Sequence, residues 1–119
     1  MRNVLKDLIK TVSSVCPTYT QVPSQKTYPF ITLDVVQNLQ AYPSGPRVLM
    51  VNLKIWSQYK GVIEILQLAK KVEHLLERYK PQTFTGSLKI WESSMSLHKD
   101  GITRLFLFRL KIRIKGDIL

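Results

Sequence analysis

The sequence of 119 residues holds one cysteine, two histidines and eight acidic residues. A single cysteine, Cys16, excludes an internal disulfide and a cysteine-based zinc site. Five glycines and six prolines are too few for a collagen-like or low-complexity chain. No apolar run is long enough to cross a membrane. The opening Met1-Arg2-Asn3-Val4 leads into no signal-like segment, because Lys6, Asp7 and Lys10 interrupt it. The expectation is a soluble protein made in a reducing compartment.

Catalytic groupings are also lacking. His74 falls in a helical segment beside Glu73, and successive helix residues do not face each other. His98 falls in a tight turn beside Lys99 and Asp100. The acids Asp34, Glu64, Glu73, Glu77, Glu92, Asp100 and Asp117 form no ligand motif. The glycines at 45, 61, 86, 101 and 116 make no phosphate loop. Cys16 before Pro17 reads as a small apolar helix-end residue. No enzyme, metal or cofactor is expected.

What is present is positive charge and patterned apolar residues. Eighteen Lys and Arg against eight acids give +10, which suggests an acidic neighbour: nucleic acid, an anionic lipid surface or an acidic protein. Apolar content of 45% supports one core and argues against disorder. The size fits one domain spanning 1–119.

Val4, Leu5, Leu8, Ile9, Val12 and Val15 recur at helical spacing and predict a helix over 2–15, with Arg2, Lys6, Asp7, Lys10 and Thr11 on the other side, ended by Cys16-Pro17. Residues 17–27 read as a polar connection. Ile31, Leu33, Val35 and Leu39 alternate with Thr32, Asp34 and Asn38, predicting a strand over 28–39. A turn at 40–46 leads to a second strand over 47–57, so the two form an antiparallel hairpin. Val62, Ile65, Leu66, Ala69, Val72, Leu75, Leu76 and Tyr79 mark a helix over 61–79, stopped by Lys80-Pro81. Strands over 87–97 and 102–115 meet at the turn His98-Lys99-Asp100-Gly101, where Asp-Gly tolerates positive φ. The order α-β-β-α-β-β predicts an α+β fold, a four-stranded, mainly antiparallel sheet with both helices on one face.

In the last strand Arg109, Lys111, Arg113 and Lys115 share one side, with Lys89 and Lys54 as candidate neighbours. The stripe has two readings. One is a solvated sheet face whose long side chains cover Leu105, Leu107 and the tryptophans. The other is a face that meets DNA backbone or an acidic protein ring through salt-sensitive contacts. The loops holding Tyr42, Pro43, Ser44 and His98, Lys99, Asp100 project from hairpin ends and are candidate docking loops. Trp56 and Trp91 read as sheet-packing residues or interface anchors. The first two strands are apolar on both faces, which points to an oligomer interface.

The segment Tyr28-Pro29-Phe30-Ile31-Thr32-Leu33 resembles the opening of the first strand in tail completion proteins, or tail terminators, of long-tailed phages, prophages and gene transfer agents. Val51-Asn52-Leu53-Lys54-Ile55-Trp56-Ser57 resembles their second strand. Ser93 to Asp100-Gly101, with Arg104-Leu105-Phe106-Leu107-Phe108-Arg109-Leu110-Lys111-Ile112, resembles their closing hairpin. Order, spacing and total length carry the likeness. It implies a small α+β structural protein of the virion, assembled in the bacterial cytoplasm. It implies a homo-oligomeric ring, commonly a hexamer, at the head-proximal end of the tail tube. Its partners would be further copies of itself, the tail tube protein, a head-tail connector and, non-specifically, passing DNA. The alternative from charge alone is a small basic nucleic-acid-binding module acting as monomer or dimer.

Overall fold

Alternation in the strands splits the chain into a buried set and an open set, and the helices cover the buried one. The computed structural model describes residues 2–24, 27–40, 47–80 and 84–117. Its elements in chain order are α1 (Arg2–Val12), β1 (Thr18–Tyr19), β2 (Phe30–Gln40), β3 (Arg47–Ser57), α2 (Ile63–Glu77), β4 (Phe84–Leu97) and β5 (Arg104–Asp117). The sheet order is β1-β2-β3-β5-β4, and every pairing is antiparallel except β1 with β2.

The sheet thus has five strands rather than the four expected. The extra strand, β1, lies in the polar connection and pairs in parallel with Ile31 and Thr32. Two residues are too short to show alternation, so no sequence pattern announces it. The amide of Ile31 donates to the Pro17 carbonyl at 2.8 Å, tying the loop to the start of β2. The Tyr28–Pro29 peptide is cis.

One core joins Val4, Leu8 and Val12 of α1 to Ile65, Ala69, Val72 and Leu76 of α2, and both helices to one sheet face. That face is laid in rows by the register, for example Leu33, Leu53 and Phe108, or Val35, Val51 and Leu110. The helical period of the apolar residues therefore does what it predicts. Three details differ. Helix α1 stops at Val12, where the Thr11, Ser13 and Ser14 hydroxyls donate to carbonyls one turn back and compete with further helix. Asp7, read as part of the polar side, is only 7% exposed and accepts a 2.7 Å hydrogen bond from the Tyr79 hydroxyl beyond α2. Leu66 points away from the core and is exposed, while Leu68 packs on it.

Three register shifts reset the alternation; one of them, between Thr85 and Gly86, leaves Lys115 of β5 without a cross-strand partner in β4. In β2 the register shifts at Val36, so Leu39 pairs with Val48 instead of following Val35 on the core-side rows. In β4 it shifts at Trp91, so Glu92 lies opposite Arg109. An inserted residue of this kind bends the strand and moves every later side chain to the other face.

Candidate functional site

The sheet face away from the helices is built of cross-strand rows. From the β4–β5 turn toward the other end of β3 they read Phe30, Trp56, Leu105, Ser96; then Thr32, Lys54, Leu107, Ser94; then Asp34, Asn52, Arg109, Glu92; then Gln37, Met50, Lys111, Lys89; and finally Val48, Arg113, Ser87. Charge is segregated along this list. Both acids, Asp34 and Glu92, lie in the middle row.

The first row carries an aromatic cluster around Phe30 and Trp56. Phe30 and Trp56 stack with centroids 5.6 Å apart and planes 10° from parallel. Tyr28 and Tyr19 approach Phe30 at 5.1 and 6.2 Å, and the His98 ring meets Trp56 edge-on at 5.6 Å. The Trp56 indole N–H donates to Thr32 Oγ1 at 3.0 Å. Phe30 is fully buried although it lies outside the helix-covered core.

The adjacent turn is stapled. Asp100 accepts bonds from the Thr103 hydroxyl at 2.6 Å, the Thr103 amide at 2.8 Å and the Ile102 amide at 2.9 Å. These bonds, the Thr103 hydroxyl first, hold the Asp100 carboxyl down at about 2. Gly101 takes φ +75°, as the Asp-Gly turn requires. Gln58 donates to Thr103 at 3.1 Å, and Ser57 donates to Glu64 at 2.7 Å, so β3, α2 and the turn are joined. Of the expected docking residues, His98, Lys99 and Asp100 therefore sit on a stiff loop. Tyr42, Pro43 and Ser44 lie outside the described residues.

The four-residue basic stripe divides. Arg109 is already engaged, 3.3 Å from Glu92 and with its guanidinium 5.6 Å from the Trp91 ring centre. Lys111 and Arg113 are not: among the described residues neither has an acidic partner. Lys115 belongs to β5 by its backbone, and its side chain lies outside the described residues. Lys89 joins the stripe directly opposite Lys111, whereas Lys54 lies opposite Leu107, two rows away. Sequence reading missed the role of the Trp91 bulge. The signal was present: apolar residues fall at 88 and 90, then at 95 and 97, a change of phase that demands one extra residue.

Lys89, Lys111, Arg113, Ser87, Met50 and Trp91 line a groove of about 550 Å³. A wider concavity of about 690 Å³ follows the outer face of α2, where Lys70 and Lys71 are balanced by Glu73 and Glu77. Elsewhere two titratable groups, Cys16 and Tyr79, are shifted by burial. Burial, with Glu64 adding to it, pushes the Cys16 thiol up to about 11, so it is no thiolate at neutral pH. Burial and the Asp7 bond raise the Tyr79 phenol. Among the described residues no helix is long and apolar enough to cross a membrane.

No protein-family model matches the sequence, and a search of curated proteins finds no match. Among solved structures 28 chains match. One of these, from the virion of a native gene transfer agent particle, superposes with a TM-score of 0.67 at 15% identity, covering 92% of this chain and 84% of that one. At that identity the likeness is one of fold.

Proposed function

We propose that the chain is a structural, non-enzymatic virion protein, a tail-terminator subunit. Copies close into a ring, commonly of six, at the head-proximal end of a tail tube. The ring ends tube polymerisation and presents a surface for joining the tail to the head. Its partners are the tail tube protein, the head-tail connector and the DNA that passes through the opening.

The observation that carries the reading is the fold shared along nearly the whole chain with a chain of a gene transfer agent virion. The sheet adds a mechanical argument. The β2–β3 tip follows the Gln40–Arg47 pair, and the β4–β5 turn follows the Leu97–Arg104 pair, at opposite ends of β3. A subunit with one loop at each end can meet a different neighbour with each. A heterologous contact repeated head to tail, with a rotation that closes, gives a ring and not a filament.

The test is to add the purified chain to polymerising tube protein and measure tube length by negative-stain microscopy. Tubes should shorten and carry antibody label against this chain at one end only. Unchanged length with no end label would overturn the reading.

A further inference from the structure

We infer that the groove beside Trp91 binds single-stranded nucleic acid, its phosphates on Lys89, Lys111 and Arg113 and one unpaired base stacked on the indole. The inference goes beyond the tail reading and does not rest on it. Duplex DNA passing through an opening offers no free base.

Lys89 and Lys111 are directly opposed across β4 and β5. Like charges so placed repel. Arg113 follows one row on, opposite Ser87, which brings no charge to offset it. No acid is among the described residues lining the groove. Glu92, one row away from Lys89 and Lys111, already faces Arg109. Among the described residues, the fold thus keeps three cations together with no acid lining the groove to neutralise them.

Trp91 supplies the second half of the argument. Trp91 follows Ser87 and Lys89 on the open face, and it is 47% exposed, beside the cations rather than under a helix. Aromatic faces flanked by Lys and Arg are how single strands are held without sequence preference. An acidic peptide would satisfy the charges but leaves unused the exposed part of the indole that Arg109, 5.6 Å from its ring centre, does not cover. The volume, about 550 Å³, is within the range of small-ligand sites.

The experiment uses the full chain and a dye-labelled (dT)12, followed by anisotropy across a salt series. Three phosphate contacts on a single strand predict a log–log salt slope of about −2. Lys89→Ser with Lys111→Ser should weaken binding about ten-fold or more and flatten the slope by about 1.4. Lys70→Ser with Lys71→Ser removes the same charge from α2 and should change affinity less than about two-fold if contacts are local. Trp91→Ala should weaken (dT)12 about ten-fold, yet leave an abasic oligomer of equal length nearly unaffected. Thermal unfolding confirms that each variant is folded.

Equal losses from the two lysine pairs would overturn the site, as would no binding of (dT)12 at low salt. Poly-glutamate competing as well as (dT)12 at matched charge would reassign it to an acidic protein. Equal loss for (dT)12 and the abasic strand on Trp91→Ala would remove the stacking role. Failure of tube capping leaves all these results untouched, so the two readings fall separately.

Discussion

The two ends of the open sheet face handle exposed surface in opposite ways. At the end near the β4–β5 turn, Tyr19, Tyr28, Phe30, Trp56 and His98 cover one another, and the Trp56 N–H finds Thr32. At the other end Lys89 opposes Lys111 and Trp91 stays half exposed. The same sheet, with similar strand lengths, builds a small second core at one end and leaves unneutralised charge at the other. Surface that folds onto itself stabilises the chain; surface that repels itself costs it stability. Arg109 and Glu92 mark the border, and a half-exposed pair of that kind contributes little stability.

The contrast can be broken most strongly at Phe30. Phe30→Ala removes a fully buried ring and should cost about 3–5 kcal/mol in urea unfolding. A loss below about 1 kcal/mol would mean the aromatic end is surface and not core. Gly86→Ala attacks the basic end. A Cβ there collides with the Arg113 carbonyl, which is backbone and cannot swing aside. The expected cost is about 1–3 kcal/mol by the same assay, from forced separation of β4 and β5.

Lys89→Gln should have the opposite sign. Relief of the cross-strand repulsion should stabilise the fold by about 0.2–1 kcal/mol at low salt, a gain that 1 M NaCl removes. Lys54→Gln, two rows away and opposite Leu107, should give no such gain. The smallest effect is local. The carboxyl of Asp100 is depressed to about 2 from 3.8, so its bonds favour the fold above the ordinary value and are lost as pH falls through about 2. The amide shifts of Ile102 and Thr103 should titrate together with that midpoint in NMR, and Asp100→Asn should abolish the titration.

Much of this architecture was legible from period alone. The stripe from Val4 to Val12, the stripe from Ile65 to Leu76 and the alternation of Leu49 to Ile55 each place the core side. What period could not show was β1, too short to alternate, and the aromatic cluster, whose members lie far apart in sequence and meet only through the β2–β3 register. The basic stripe was visible, but its division was not. The engagement of Arg109 depends on Glu92, and strict alternation puts Glu92 on the wrong face; only the bulge at Trp91 corrects it. Asp7 misled for a related reason, since its partner Tyr79 lies 72 positions along the chain.

Strand β3 is paired on both sides for nearly its whole length, from Arg47 to Ser57. Eleven residues of strand extend about 36 Å. Sliding or bending along that length would shear two ladders at once, and no hinge interrupts it. Mechanically the molecule is a strut: a load arriving at one end of β3 is passed to the other through two ladders, with little give between.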